Sequence, residues 1–239
     1  MIPVLPAEAA EQLFGRLAAC LGTGAAVLDV GCGSGFLAAE IAARGVSFEL
    51  TDVEDWRQVE VPGSTFVRAD ATALPQASGS MGGVHIARVL FHITEWRTAL
   101  AELARVLAPG GRLCLSLGWP LYTGGLRELS NAFYDRAEAA GLPRDDVRAD
   151  IEGPDQVAEE LTALGLLPEE PIEVSGELMI TPREVVADAV AVADRWRAGQ
   201  DRGLLPSLGE GVLAESPLAA DVPVAQERTV RYLVFRRPA

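Results

Sequence analysis

The sequence predicts an α/β protein whose parallel sheet presents a small ligand at the carboxyl end of its first strand. The first observation is an apolar strand, Ala25–Val30, followed by a loop with Gly31, Gly33 and Gly35 and at once by a helix. The second is the alternation of apolar strands with amphipathic helices over the next ninety or so residues. In open parallel sheets of this kind, ligands bind just beyond the carboxyl ends of the strands.

The spacing of the three glycines separates the known nucleotide-binding loops. A phosphate-binding P-loop ends in Gly-Lys-Ser/Thr, whereas apolar residues follow Gly35 here, which excludes it. A dinucleotide loop has the pattern G-x-G-x-x-G, and its third glycine would fall at Phe36, one residue later than it does. The pattern present over Asp29–Gly35 is Asp-x-Gly-x-Gly-x-Gly.

An acidic residue also ends the second strand. Val46–Thr51 is apolar in alternation and leads into Asp52, 21 residues after Gly31. A carboxylate at this place can accept both ribose hydroxyls of an adenosine. A nicotinamide dinucleotide would be held in the same way, so Asp52 predicts an adenosine group and leaves the cofactor open.

The remaining elements follow from hydrophobic periodicity and from capping residues. The predicted helices are Ala7–Leu21, Gly35–Ala43, Glu95–Leu107, Leu126–Ala140, Pro154–Leu164 and Thr181 to about Ala198. The further predicted strands are Thr65–Arg68, Gly83–Arg88, Arg112–Leu117, Ile172–Leu178 and Thr229–Arg236. Turn residues recur from Gly199 to Pro223, and this stretch is expected to consist of turns.

The amino-acid composition limits the kinds of partner that the protein is expected to bind. The chain has 34 acidic and 20 basic residues and a net charge of −14, which argues against a nucleic-acid substrate because phosphate contacts need a basic face. The three cysteines, Cys20, Cys32 and Cys114, are scattered, so neither a metal cluster nor a disulfide framework is expected. The first basic residue is Arg16 and no apolar run has the length of a membrane span, so a cytoplasmic protein that binds no membrane is expected.

Taken together, the motifs of Val27–Leu117 resemble the class I family of S-adenosylmethionine (SAM)-dependent methyltransferases, including its small-molecule "type 11" branch. Beside the glycine loop, the resemblance rests on Asp70-Ala71, on Arg88-Val89-Leu90-Phe91-His92 and on the corner Arg105–Gly111, in this order. Two positions depart from the family. Phe91 stands where a histidine is common, and Arg88 stands where a small polar residue is common.

The resemblance implies a Rossmann-like sheet of seven mostly parallel strands with helices on both faces. In that sheet the last strand is antiparallel, and Ile172–Leu178 and Thr229–Arg236 fill the last two places. The expected organisation is a single domain over residues 1–239, with its core at 25–118, 152–180 and 224–239 and helical lid insertions at about 119–151 and 181–223.

The resemblance also implies roles for individual residues. Asp29 would fix the glycine loop and reach the methionine ammonium group, and Asp52 would hold the ribose. Val53 would lie on an adenine face, Asp70 would accept from the adenine amino group, and the Ala71 backbone would pair with the ring. The full set expected to bind SAM is Asp29, Gly31, Cys32, Gly33, Gly35, Asp52, Val53, Asp70, Ala71 and Arg88.

His92 is the candidate general base, since an imidazole titrates near neutral pH, and its alternative role is structural. Trp119, Tyr122, Tyr134 and Asp135 are candidates for acceptor contacts. The expected reaction transfers a methyl group from SAM to an oxygen or nitrogen atom of a small molecule and leaves S-adenosylhomocysteine. The alternatives are methylation of a protein or nucleic acid, or a SAM-binding protein without this activity. A monomer or a homodimer is expected.

Overall fold

A computed structural model describes residues 5–22, 25–118, 122–142, 149–196 and 202–239. Within these residues, seven strands form one sheet in the order β3-β2-β1-β4-β5-β7-β6. The strands are β1 (Val27–Val30), β2 (Phe48–Asp52), β3 (Thr65–Arg68), β4 (Met81–Ala87), β5 (Leu107–Ser116), β6 (Leu167–Ile180) and β7 (Val224–Arg236). β1 pairs in parallel with β2 and β4, and β7 is antiparallel to β5, so the predicted seven-stranded sheet with an antiparallel last strand is confirmed.

β1 lies in the interior of the sheet. Its residues suit this place because three of the four are apolar and the fourth, Asp29, has a hydrogen-bonding partner. The strand is buried along its whole length. Asp29 stands in register with Leu50 of β2 on one side and with His85 of β4 on the other. Because parallel strands end at the same edge of a sheet, the loops after β1, β2 and β4 share that edge.

The described residues also contain seven α-helices, and the first six have bounds close to those predicted from periodicity. They are α1 (Ala7–Leu21), α2 (Phe36–Ala42), α3 (Trp96–Val106), α4 (Gly124–Ala139), α5 (Pro154–Ala163), α6 (Pro182–Trp196) and α7 (Leu205–Glu215). α3 shows why the periodicity works. Its buried residues, among them Ala99, Leu100 and Leu103, repeat every three or four positions and face the sheet's core.

The chain forms two compact units. The sheet unit contains the described parts of residues 8–118, 147–174 and 230–239, and its core is built from β1, β4 and β5 with α3 and α5. The helical unit contains the described parts of residues 1–7, 119–146 and 175–229, and its core joins α4, α6 and α7. That the helical segments form a lid within a single domain stays a prediction.

The corner before β5 differs from the expected turn. Strand pairing with β4 already begins at Leu107, where Met81 is opposite, and then shifts so that Gly83 faces Arg112. The extra residues on β5 form a bulge, which the positive φ of Gly110 (77°) accommodates. The bulge is held by the residue that follows β7, since the Gly110 N–H donates to the carbonyl oxygen of Arg237 at 3.0 Å.

The stretch after α6 contains a helix where the sequence led us to expect turns. Pro206 stands at the start of α7, where its missing N–H costs nothing. Gly209 allows α7 to pack closely on α6, because a Cβ atom there would lie 2.8 Å from Cγ1 of Val186. The glycines that suggested turns are therefore in part packing residues, and propensity is overridden by tertiary contact.

No α-helix in the described parts of the chain combines the length and the apolar character that crossing a membrane requires.

The two glycines of α7 give a matched test of this packing. We expect Gly211→Ala to raise the free energy of unfolding by about 0.5–1 kcal/mol, because alanine favours helix and the nearest atom is the end of a flexible side chain, Nη1 of Arg136 at 3.0 Å. Gly209→Ala should instead lower it by about 1–3 kcal/mol, since Val186 is buried and cannot move away. Thermal or urea unfolding measures both, and equal effects would contradict the packing of α7 on α6.

Candidate cofactor site

The glycine loop after β1 is fastened to the end of β2 by its own backbone. The N–H groups of Gly31 and Cys32 both donate to the carbonyl oxygen of Thr51, at 2.8 and 3.0 Å. The N–H of Gly33 donates to Oδ2 of Asp52 at 2.9 Å. Three successive donors of the loop are therefore used within the protein, and the loop is held by residues that also end the second strand.

Glycine is required at two positions of this loop for different reasons. At Gly31 the backbone φ is 69°, and a Cβ atom would lie only 2.3 Å from Cγ2 of Val89, so no larger residue fits. At Gly33 φ is 53°, which an L side chain rarely adopts. No heavy atom lies within 4 Å of the place that a Cβ of Gly33 would take. The loop is thus packed against protein at its beginning and open at its middle.

The carboxylate of Asp52 connects the loop to the end of β2. Besides Gly33, it accepts a hydrogen bond from the Val53 N–H at 2.8 Å through Oδ1. Burial raises the pKa of Asp52, and these backbone donors oppose that rise because they favour the charged form. The side chain of Val53 is 53% exposed, which leaves an apolar surface next to this carboxylate.

Carboxylates lie near the thiol of Cys32 on the loop. Burial raises the pKa of this thiol to about 12, and the carboxylates of Asp29 and Asp52 add to the rise, whereas Arg57 opposes it. Burial disfavours every charged group, but the two carboxylates disfavour only an anion. Beside these carboxylates, a cationic ligand group is therefore favoured over an anionic one.

Asp70 follows β3 at the same edge of the sheet. Its Oδ1 accepts from the N–H of Thr72 at 2.8 Å and from the Thr72 hydroxyl at 2.7 Å, which fixes the side chain in a turn. The backbone just before Asp70 is bonded to the end of β2, since the N–H of Ala69 donates to the carbonyl oxygen of Asp52 at 3.0 Å. Ala71 is buried behind this turn.

The turn after β4 carries the two remaining residues predicted for the sheet unit's site. Arg88 has a φ of 62°, and it alone among the described non-glycine residues has a positive φ. Such a backbone conformation costs free energy in an arginine and often accompanies a functional turn. His92 ends a short 3₁₀ turn, Leu90–His92, and its side chain is exposed.

A buried polar chain that the sequence did not predict lies beneath the loop. Nδ1 of His85 donates to Oδ1 of Asp29 at 2.6 Å, and Nε2 of His85 lies 3.2 Å from the hydroxyl of Tyr232. All three side chains are buried, and the rings of His85 and Tyr232 stack at 5.6 Å. His85 lies within the predicted strand Gly83–Arg88, a position that favours core packing. The register of β1 with β4, which places Asp29 directly beside His85, is seen only in the structure.

The predicted acceptor residues belong to the helical unit, except that Trp119 lies outside the described residues. Tyr122 is buried and donates its hydroxyl hydrogen to Oδ2 of Asp188 at 3.2 Å. The guanidinium carbon of the buried Arg228 lies 5.3 Å from the centre of the Tyr122 ring. Tyr134 is half-buried against Phe133, whereas Asp135 is exposed on α4.

Comparison with known proteins identifies the sheet unit. Residues 28–115 match the family model described as a methyltransferase domain. The O-methyltransferase cnsE of Penicillium expansum is 35% identical over 127 residues, which cover 46% of this chain and 46% of that protein. The chain spans less than half the length of the curated relatives it matches. These matches support the predicted class I SAM-dependent methyltransferase family for the part of the chain that they cover.

Solved structures support the fold over nearly the whole chain. A protein from Bacillus halodurans C-125 superposes with a TM-score of 0.61 at 16% identity, covering 96% of this chain and 99% of that one. Phosphoethanolamine N-methyltransferase 2 of Haemonchus contortus superposes with a TM-score of 0.55 at 16% identity over 95% of this chain and 52% of that one. That structure contains S-adenosylhomocysteine and phosphomonomethylethanolamine.

The buried chain beneath the loop gives a stability prediction. His85→Ala should lower the free energy of unfolding by about 3–5 kcal/mol, because it leaves the buried carboxylate of Asp29 without its donor. Tyr232→Phe keeps the packing and removes only the longer hydrogen bond, so a loss of about 1–2 kcal/mol is expected. Urea unfolding of both variants distinguishes the two contributions. Equal losses would show that the pairing of His85 with Asp29 contributes no more than the hydrogen bond of Tyr232.

Proposed function

We propose that the protein transfers a methyl group from SAM to an oxygen or nitrogen atom of a small molecule. The observation that carries the proposal is the direction of the hydrogen bonds in the glycine loop. The N–H groups of Gly31, Cys32 and Gly33 already donate to Thr51 and Asp52, so none of them is available to bind a phosphate. SAM has no phosphate, and its sulfonium and ammonium groups are cations, whereas a dinucleotide carries a pyrophosphate.

The charges around the loop favour the same ligand. The carboxylates that raise the pKa of Cys32 would repel a pyrophosphate and attract the cationic methionine part of SAM. In this proposal Asp52 keeps its bond to Gly33 and accepts the ribose hydroxyls with its other lone pairs. The space next to the Cα atom of Gly33 is unoccupied by protein atoms and would admit the edge of SAM that faces the loop backbone.

The adenine contacts complete the proposed binding of SAM. The exposed side chain of Val53 would pack on one face of the ring. Oδ2 of Asp70 takes no hydrogen bond from a described residue, so it can accept from the adenine amino group, while the Ala71 backbone pairs with the ring edge. The family's use of SAM supports this assignment, as does the structural neighbour that holds S-adenosylhomocysteine.

The chemical step asks little of the protein's side chains. SAM supplies a methyl group that is already activated by its positive sulfur, so the protein has mainly to align the acceptor atom. Orientation of this kind lowers a barrier by about 7–11 kcal/mol in favourable cases. If the acceptor is a hydroxyl, a base must also take its proton, and the exposed imidazole of His92 is our candidate.

The acceptor itself is proposed to be a small molecule, because relatives over the sheet unit are named O-methyltransferases and the net charge of −14 disfavours nucleic acid. Trp119, Tyr122, Tyr134 and Asp135 remain our candidates for acceptor contacts. For Tyr122, the neighbouring Asp188 and Arg228 supply both signs of charge, which suits an acceptor with polar substituents.

The role of Asp52 is tested by calorimetric titration with SAM. Asp52→Ala should weaken SAM binding by about 10- to 100-fold, because it removes charge-assisted hydrogen bonds to the ribose and loosens the loop at Gly33. Asp55→Ala is the matched control, since Asp55 is exposed three residues away and pairs with Arg57, and its affinity should stay within about twofold.

The same titration separates the donor classes. The unmodified protein should bind SAM and S-adenosylhomocysteine and should not bind NAD. Binding of NAD by the unmodified protein, together with an unchanged affinity of Asp52→Ala for SAM, would refute the assignment of SAM as the methyl donor.

The reaction is tested with SAM carrying a labelled methyl group, incubated with low-molecular-weight and macromolecular fractions of a cell extract. We expect label in the small-molecule fraction only. Label in protein or nucleic acid, or in neither fraction, would favour the corresponding alternative.

Once an acceptor with a reactive hydroxyl is known, the rate of its methylation tests whether His92 acts as the base. His92→Ala should reduce kcat by about 100-fold or more with little change in SAM affinity. Glu95→Ala, exposed three residues further on, serves as the control and should keep kcat. Normal turnover in His92→Ala would leave alignment of the acceptor as the whole mechanism.

A further inference from the structure

Two of the three cysteines are in contact inside the sheet unit. The sulfur atoms of Cys20, near the end of α1, and Cys114, in β5, are 3.4 Å apart. Cys114 is fully buried and Cys20 is half-buried. A disulfide bond has a sulfur–sulfur distance of about 2.05 Å, so the two sulfur atoms have to approach each other by little more than about 1 Å. We propose that Cys20 and Cys114 form a reversible oxidation site that hydroperoxides convert to a disulfide.

The surroundings assign different roles to the two thiols. The Cys114 thiol donates its hydrogen to Cys20, and together with the Arg112 guanidinium this lowers the pKa of Cys20, against the effects of burial and of Glu169. The same contact and complete burial raise the pKa of Cys114. Cys20 is also the more accessible of the two. Cys20 therefore reacts first as the thiolate, and Cys114 resolves the product.

The third cysteine provides an internal contrast. Cys32 lies on the glycine loop, where burial and the carboxylates of Asp29 and Asp52 raise its pKa to about 12. At neutral pH its thiolate fraction is far below that of an ordinary cysteine, so it reacts slowly with peroxide. Oxidation should thus select Cys20 although both thiols are half-buried.

The chemistry balances with hydrogen peroxide as the oxidant. The Cys20 thiolate attacks one peroxide oxygen, the O–O bond breaks, and the hydroxide that leaves takes up a proton to become water. Cys20 is then a sulfenic acid. The Cys114 sulfur attacks the Cys20 sulfur, the S–O bond breaks, and a second water leaves with the thiol proton. The two thiols have given up two electrons, and the peroxide has accepted them.

The disulfide would connect α1 to the middle of the sheet. Cys20 and Cys114 are separated by about 90 residues, a long loop whose closure restricts the unfolded chain. α1 also reaches the beginning of α2, because the rings of Phe14 and Phe36 meet edge to face at 6.3 Å. Oxidation should therefore stabilise the helix that flanks the glycine loop, and a rise in Tm of about 5–15 °C is expected.

The test oxidises the native full chain with hydrogen peroxide and maps its cysteines without reduction. The chain has no lysine, so trypsin leaves Cys20 and Cys32 together in the peptide 17–44, and a second cleavage before Asp29 separates them. We expect the peptide 17–28 linked to the peptide 113–127, with the link and the Tm rise both lost on treatment with dithiothreitol.

Three variants make the result specific. Cys32→Ser should keep the cross-link and the Tm rise, whereas Cys20→Ala and Cys114→Ala should each lose both. Cys20→Ala is the milder of these two changes because the residue is half-buried on a helix, so it serves if Cys114→Ala does not fold. A cross-link to Cys32, oxidation of Cys20 beyond sulfenic acid without a cross-link, or no reaction of Cys20 while the protein stays folded would each overturn the proposal.

Discussion

The candidate site depends on the backbone of the glycine loop being bonded to the end of β2. A loop with three glycines is entropically costly to hold in one conformation. Thr51 and Asp52 meet this cost by accepting three consecutive N–H groups. They also decide what the loop can bind. In a phosphate-binding loop the backbone N–H groups donate to the ligand. In this loop they donate to the protein itself, so hydrogen-bond acceptors and carboxylates are left to contact a ligand.

The loop in turn rests on a buried acid that is paired with a base. Asp29 lies in β1, a strand whose neighbours on both sides are buried, and a carboxylate there is stable only if donors are aimed at it. His85 supplies that donor from β4, and Tyr232 of β7 lies on the imidazole's other side. The acid that a local motif suggests as a ligand-contacting group is thereby also a structural connection across four adjacent strands of the sheet.

The sequence predicted what is set by short-range pattern. Apolar or alternating runs located all seven strands, and three- to four-residue periodicity located six of the seven helices of the described residues, because these patterns reflect local geometry on buried faces. α7 was not predicted, since Gly209 and Gly211 resemble turn residues until α6 is seen to pack against the first of them. The contacts of His85 with Asp29 and of Cys20 with Cys114 were likewise hidden. They join residues 56 and 94 positions apart, which are brought together by the register of β1 with β4 and by the contact of α1 with β5.

The same distinction explains why the donor can be inferred more sharply than the acceptor. The proposed SAM site is built from the ends of β1, β2 and β3, so its residues there lie within five positions of the end of a strand and keep a readable spacing. The polar groups of the helical unit are instead paired over long separations, as in Tyr122 with Asp188 and Thr123 with Gln226, 66 and 103 residues apart. Specificity that arises from such pairs leaves no local motif. On the proposed assignment, a change of acceptor would require changes only in these scattered side chains, whereas a change of donor would require rebuilding the loop and both strand ends that hold it.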